Sequence, residues 1–70
     1  MTTATLIQVG KKLKKARQKR SLTQQQVADK VGIHVSYYYR IERGVVNPSI
    51  EILEQVCKVL KIKGSEILPF

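Results

Sequence analysis

The stretch HVSYYYRIERG, residues 34–44, concentrates side chains that can form hydrogen bonds with an anionic partner. All three tyrosines of the chain stand side by side at positions 37–39, directly before Arg40. A phenol hydroxyl can donate to a phosphate oxygen, and a guanidinium can donate two parallel hydrogen bonds to one acceptor pair. The residue types therefore indicate recognition by hydrogen bonding, provided that the rings and the guanidinium are exposed.

The spacing of this stretch decides which tyrosine is buried. Successive side chains on a helix point about 100° apart, so at most one of three consecutive rings can face a core squarely. Val35, Tyr38 and Ile41 recur at helical spacing and form the apolar stripe. We therefore expect Tyr38 to be buried and Tyr37 and Tyr39 to lie on the exposed side of the helix.

The charge of the chain favours a polyanionic partner. Its 70 residues include 13 lysines and arginines against 5 acidic residues, which gives a net charge of +8. Such a balance favours nucleic acid first and an anionic membrane surface second. A membrane-surface role is disfavoured because the lysine-rich N-terminal segment lacks Trp and Phe, and its apolar stripe is needed to close a small core.

Several classes of protein are excluded by what the chain contains. One cysteine, Cys57, and one histidine, His34, allow neither an internal disulfide nor an ordinary zinc site. We find no nucleophile–base set and no phosphate-cradling glycine loop, so we expect no catalysis, cofactor or small-molecule ligand. The single thiol, the absence of a signal-peptide pattern and the absence of a long apolar run predict a cytoplasmic protein.

The apolar periodicity predicts an all-α protein with five helices in one domain over residues 1–70. Leu6, Val9, Leu13 and Ala16 form the stripe of the first helix. Four further helices are expected at about 24–31, 35–43, 50–61 and 64–68. In the fourth, Ile50, Leu53, Cys57 and Leu60 form the expected core face.

The second and third helices have the spacing of a helix-turn-helix at about residues 23–43. Counting from Gln24, a small residue suited to a close helix crossing, Ala28, stands fifth, and the turn glycine, Gly32, stands ninth. Tyr38 and Ile41, fifteenth and eighteenth, lock the second helix against the first. In this motif the second helix enters the major groove of DNA.

The segments LTQQQVADKVGI and YRIERGVVNPSIEILEQVCKVLKI resemble the Xre/Cro-type family of phage-repressor-like DNA-binding domains. The resemblance covers about residues 6–68 and is especially close to small stand-alone members such as restriction–modification controller proteins. It implies a five-helix bundle that binds a two-fold symmetric operator in double-stranded DNA as a homodimer and regulates transcription, as a repressor or autoregulator. The alternative is an antitoxin or another protein-interaction module in which DNA binding is secondary.

The resemblance also implies roles for individual residues. It places DNA contacts at positions of helices 2 and 3 and the following loop: Gln24, Val35, Ser36, Tyr37, Tyr39, Arg40, Arg43 and Asn47. It assigns Arg17 and Glu42 to a buried salt bridge with a structural role. Arg40 has the geometry to read guanine, the commonest specific base contact of arginine.

The C-terminal part of the chain carries more apolar residues than a small core needs. We therefore predict a homodimer that forms through the fourth helix, the fifth helix and the C-terminus. The residues predicted at that interface are Ile52, Val59, Ile67, Leu68 and Phe70. A DNA-binding regulator of this kind is expected at the nucleoid.

Overall fold

The computed structural model describes residues 1–68 and contains five α-helices in that range. In chain order they are α1 (Thr3–Lys19), α2 (Gln24–Val31), α3 (Val35–Arg43), α4 (Ile50–Leu60) and α5 (Gly64–Ile67). No strand occurs within residues 1–68. The predicted all-α, five-helix architecture is therefore confirmed, and the bounds of α2 and α3 agree with those predicted.

Side-chain caps define where the helices begin. Thr23 accepts a hydrogen bond from the backbone N–H of Gln26 at 3.0 Å, and Gln26 Oε1 accepts one from the N–H of Thr23 at 2.8 Å. A threonine followed three residues later by glutamine is the sequence signature of a capping box, and this reciprocal pair satisfies two backbone donors that have no partner within the helix. Thr2 and Ser49 cap α1 and α4 in the simpler way, through one side-chain oxygen each.

The core is built from all five helices. α1 packs against α3 and α5, and α2 packs against α3 and α4. The side chains with little or no exposure form one cluster, comprising Val9, Leu13, Val27, Ala28, Tyr38, Ile41, Leu53, Val56, Cys57, Leu60 and Ile67. Tyr38 is fully buried, which confirms that the middle tyrosine is the one that points inward.

Two glycines allow the backbones of α1 and α3 to come close together. A Cβ added to Gly10 would lie 2.2 Å from the carbonyl oxygen of Glu42. A Cβ added to Gly44, which ends α3 with φ +75°, would lie 2.7 Å from Ile7 Cα. Both separations are far below contact distance, so only glycine fits at these two crossings.

Two apolar residues do not lie where the sequence placed them. Ile50 was expected in the core face of α4, but it is 68% exposed because the first turn of that helix extends beyond the core. Ile67 was expected at a subunit interface, but only 2% of it is exposed because α5 packs it against the cluster. The predictions for these two residues are wrong for the isolated chain.

No helix in the described part of the chain is both long and apolar enough to cross a membrane. Among residues 1–68, no three histidine, cysteine or acidic side chains come together in a group that could hold a metal ion.

Candidate nucleic-acid interface

One face of α3 is exposed to solvent, and the turn between α2 and α3 sets its position. Gly32 ends α2 in the left-handed conformation, with φ +85°, and α3 begins three residues later. His34 caps α3, because its Nδ1 accepts a hydrogen bond from the backbone N–H of Ser36 at 3.1 Å. The position directly before a nine-residue amphipathic helix is where a cap is required, and histidine is less usual there than serine or threonine.

The exposed face of α3 carries most of the residues that the resemblance assigned to DNA. Ser36, Tyr39, Arg40 and Arg43 are exposed, and Val35 and Tyr37 are half-buried at its edges. Tyr39 is 46% exposed, a large value for an aromatic residue in so small a protein. The two outer tyrosines therefore remain accessible on either side of the buried Tyr38, as the helical spacing predicted.

Each accessible tyrosine lies beneath an arginine of the same helix. Arg40 Cζ is 5.9 Å from the centroid of the Tyr37 ring, and Arg43 Cζ is 5.6 Å from that of Tyr39. Cation–π contacts at exposed sites contribute about 0.5–1 kcal/mol each. They hold both guanidinium groups above the face of α3 and leave most of their N–H donors available to a partner.

Arg40 also makes a weak contact with its own helix. Its Nε lies 3.4 Å from the Ser36 carbonyl oxygen, near the limit for a hydrogen bond. The guanidinium is therefore ordered but only loosely held. Such an arginine can turn into a groove at small cost when a better acceptor is offered.

Beneath this face, a buried polar cluster joins α1, α2 and α3. Arg17 Nε donates to Glu42 Oε2 at 2.7 Å, and Arg17 Nη2 donates to Glu42 Oε1 at 3.2 Å. The guanidinium also donates from Nη1 to the Leu22 carbonyl oxygen at 2.9 Å. Gln24 Nε2 adds a fourth hydrogen bond, to Glu42 Oε1 at 3.1 Å.

The electrostatics of this cluster keep both partners charged. Burial tends to raise the pKa of Glu42, but hydrogen bonds from Arg17 and Gln24, together with the nearby Tyr38 hydroxyl, outweigh it and lower that pKa below its ordinary value. The hydrogen bond with Glu42 raises the pKa of Arg17. Side-chain exposures of 12% for Arg17 and 2% for Glu42 show that the pair lies within the fold.

The Tyr38 hydroxyl lies at the edge of the same cluster. It is buried and has no hydrogen bond of good geometry among residues 1–68, yet it lies near enough to the Glu42 carboxylate to influence its titration. Burial raises the pKa of Tyr38 well above its ordinary value. Tyr38 is therefore neutral at physiological pH and acts as a packing residue.

The remaining candidates lie around the helix-turn-helix. Gln24, at the start of α2, directs its amide nitrogen to Glu42 and is half-buried. Asn47 is exposed in the loop between α3 and α4, where Val45 is 57% exposed. The structure thus gathers seven candidate contacts on α3 and the loop that follows it, and it gives Gln24 a bracing contact with α3.

Of the residues predicted at the subunit interface, three are partly accessible. Ile52, Val59 and Leu68 are half-buried at the margin of the core. Phe70 lies outside the described residues. The groove beside this margin, of about 340 Å³, is lined by residues of α4, α5 and the segment between them, including Ile50, Leu53 and Leu68.

The chain is similar to a phage repressor and to a bacterial transcriptional regulator. It is 43% identical over 60 residues to the immunity repressor protein of Bacillus phage phi105. This alignment covers 86% of this chain and 42% of that protein. It is 34% identical over 61 residues to the transcriptional regulator SinR of Bacillus subtilis, covering 86% of this chain and 55% of that protein. The chain therefore spans about half the length of these two relatives.

Two control proteins, one of them a restriction–modification controller, match over nearly their whole length. The control protein C.BamHI of Bacillus amyloliquefaciens is 30% identical over 71 residues, covering all of this chain and 88% of that protein. The crystal structure of the controller protein C.AhdI from Aeromonas hydrophila superposes with a TM-score of 0.88 at 29% identity, covering 93% of this chain and 98% of that one.

A family model described as Helix-turn-helix matches residues 13–67, which include the whole of α2, the turn and α3. This match covers most of the chain and contains the buried cluster and the exposed face described above. The chain belongs to the Xre/Cro-type helix-turn-helix family.

Proposed function

We propose that this protein is a sequence-specific transcriptional regulator that binds double-stranded DNA with α3 in the major groove. The observation that carries the proposal is the exposed face of α3. There, two arginines lie over two accessible tyrosines on the second helix of a helix-turn-helix. A net charge of +8 supplies the long-range attraction to phosphate that such a face needs.

The exposed side chains divide by chemistry into base-reading and phosphate-binding groups. Arg40 is suited to donate two hydrogen bonds to O6 and N7 of guanine, and Val35 to contact a thymine methyl group. Tyr39 and Asn47, being exposed and polar, are suited to phosphate oxygens. Arg43, above Tyr39 near the end of α3, is assigned to phosphate as well.

Gln24 has two parts in this proposal. One N–H of its amide nitrogen braces α2 against Glu42 of α3, and the second N–H is available to donate to a phosphate at the start of α2. Helix N-termini carry backbone donors and a positive end of the dipole, so a phosphate there is favourable.

The protein acts as a homodimer in this proposal, because one α3 reads only a few base pairs. Two copies related by two-fold symmetry would present two recognition helices about one turn of DNA apart. Ile52, Val59 and Leu68, half-buried at the margin of the core, are the residues assigned to the contact between copies.

The relatives support regulation as the biological role. Two are named as a repressor and as a transcriptional regulator, one as a control protein, and one as a restriction–modification controller protein. We assign repression or autoregulation to this chain on that similarity, without enzymatic activity. A regulator of this type works where the genome lies, so we place it in the cytoplasm, at the nucleoid.

Selection of bound sequences from a random duplex library at physiological salt tests this function. Recovery of a two-fold symmetric motif, with half-sites about one helical turn apart, would support it. Mass measurement of the protein alone and of its complex would give the number of copies per site. Equal recovery of all sequences would reduce the protein to a nonspecific basic binder and overturn the proposal.

A further inference from the structure

A second cationic surface lies on α1, away from the recognition helix. Lys12, Lys15 and Lys19 follow one another at helical spacing and line a groove of about 540 Å³. Gly10 and Arg17 are the α1 residues that contact Glu42 of α3. Lys12 comes two residues after Gly10, and Lys19 comes two residues after Arg17. Two residues correspond to a rotation of about 200° around the helix axis, so both lysines point away from α3. The groove therefore opens on the side of α1 opposite α3.

The floor of this groove is apolar. Ala16 of α1 and Ile62, which follows α4, form the accessible floor between the charged walls, and Leu60 and Ile67 also border the groove but are buried. Ile62 is half-buried and Ala16 is half-buried, so both offer apolar surface to an incoming side chain. A concave apolar floor between cationic walls differs from the flat polar surface expected of lysines that are merely solvated.

One of the cations is held in place at the rim. Arg20 Nε donates to the Leu60 carbonyl oxygen at 3.0 Å, which ties the guanidinium to the end of α4. This hydrogen bond uses Nε, and neither terminal nitrogen of Arg20 has a hydrogen-bond partner within residues 1–68. An arginine ordered in this way loses less freedom when it binds a carboxylate.

The groove carries an uncompensated positive charge. The ion pairs within residues 1–68 are Arg17–Glu42 and Lys58–Glu54, and neither involves a groove residue. The acidic residue at the groove, Glu66, accepts a hydrogen bond from the backbone N–H of Lys63 and thereby caps α5. Four cations, three lysines and Arg20, thus outnumber Glu66, the carboxylate that lines the groove within residues 1–68, so the groove keeps an excess of positive charge.

We propose that this groove is a docking site for an acidic, amphipathic segment of a partner protein. Carboxylates of the segment would pair with the cations on the walls, and its apolar side chains would cover the floor. A nucleic-acid backbone fits less well, because it has no apolar group to cover Ala16 and Ile62. The site is separate from the recognition face, so a partner could bind here while α3 is on DNA.

The test uses a fluorescein-labelled helical peptide of glutamate and leucine, with its leucines on one face, and measures binding by anisotropy at physiological salt. The groove variant Lys12→Gln/Lys15→Gln/Lys19→Gln should bind the peptide about tenfold more weakly than the unaltered chain, since each exposed charge pair contributes modestly. All three lysines are exposed, so the variant is expected to fold, and its thermal melt checks this.

The matched control removes the same charge elsewhere. Lys11→Gln/Lys14→Gln/Lys30→Gln alters three exposed lysines that do not line the groove, and it should lose about twofold or less. Equal losses in both triple variants would show that the peptide senses only the net charge, and the proposal would be wrong.

Two further probes distinguish the occupants. Polyglutamate without leucine should bind more weakly than the amphipathic peptide, and equal affinity would remove the role assigned to the floor. A single-stranded DNA oligonucleotide that displaced the peptide, and that lost affinity in the groove variant alone, would assign the groove to nucleic acid. A dimer mass that fell in the groove variant would assign it to a second copy of the chain. Any of these three outcomes would overturn the proposal.

Discussion

Arg17 and Glu42 form a bidentate ion pair within the fold, with Arg17 Nε 2.7 Å from Glu42 Oε2. The pair joins α1 to α3, and Gln24 of α2 donates to the same carboxylate. The three helices that make up and support the helix-turn-helix therefore share one buried acceptor. Because Glu42 belongs to α3 itself, the orientation of the exposed face of α3 depends on this cluster.

Replacing Glu42 should unfold the protein more easily. Glu42→Ala leaves the Arg17 guanidinium partly buried without its counter-charge, and removal of one partner of such a pair costs about 3–5 kcal/mol. Urea denaturation would give the change in the free energy of unfolding. A loss of that size is a large fraction of the stability of a small domain.

The matched control for Glu42 is an exposed ion pair. Glu54 lies 3.7 Å from Lys58, one helical turn away on α4, and both side chains are more than half exposed. Glu54→Ala should lower the free energy of unfolding by less than about 1 kcal/mol. Similar losses for the two variants would mean that the buried cluster has no special structural role.

The stability of the protein should fall in acid because of Glu42. The pKa of this carboxyl is lowered in the folded chain, so its contribution is fully present above the unfolded pKa of about 4.3 and is lost as the pH falls through the folded pKa. Glu42→Gln removes the titration while keeping the shape of the side chain. The difference in unfolding free energy between the two proteins should stay constant from neutral pH to about 5 and shrink below about 4.

Comparison with the glutamine variant cancels the other carboxyl groups, which titrate in both proteins. Urea midpoints measured at closely spaced pH values would supply the difference. A difference that grew as the pH fell would contradict the lowered pKa of Glu42.

Gly10 is expected to tolerate no side chain. A Cβ at this position would meet the Glu42 carbonyl oxygen at 2.2 Å, so Gly10→Ala must push α1 and α3 apart. Overpacking of this kind costs about 1–3 kcal/mol, despite the better helix propensity of alanine. The control is Gly64→Ala, because nothing lies within 4 Å of a Cβ there. If Gly10→Ala melted at the same temperature as the unaltered chain or higher, the close crossing of α1 and α3 would be refuted.

The local patterns of the sequence were sufficient to predict the helices and the buried ring. The capping box at Thr23 and the spacing of Tyr38 predicted the bounds of α2 and the inner tyrosine because both depend on short-range geometry. The burial of Ile67 and the exposure of Ile50 depend on how α5 and the start of α4 meet the rest of the bundle, which periodicity within a helix does not specify.

The candidate site likewise has features that local spacing predicts and features that depend on side-chain rotamers or on contacts between distant residues. The accessibility of Tyr39 follows from its position next to a core residue, and the sequence predicts it. The placing of Arg40 and Arg43 over tyrosine rings depends on side-chain rotamers, and the Arg20–Leu60 contact joins residues far apart in the chain. The isolated glycine at position 10, inside a helical pattern, was a signal of a close helix crossing that the analysis of apolar stripes overlooked.

Arg40→Ala should weaken binding to the selected DNA site and relax its sequence preference. Loss of a two-pronged contact to guanine costs about 1–3 kcal/mol, concentrated at one base position of each half-site. Binding to a panel of single-base variants of the site would reveal that position. The fold should be unaffected, because Arg40 is exposed and its one contact with the backbone is weak.

Arg43→Ala serves as the matched comparison on the same helix. It is exposed and stacks on Tyr39 as Arg40 stacks on Tyr37, but the proposed function assigns it to phosphate. Its loss should weaken all sites about equally and reduce the salt dependence of binding by about one phosphate contact. If Arg40→Ala showed that uniform loss and Arg43→Ala the relaxed preference, the roles of the two arginines would be exchanged. If neither altered the selected motif, α3 would not be the element that reads the sequence.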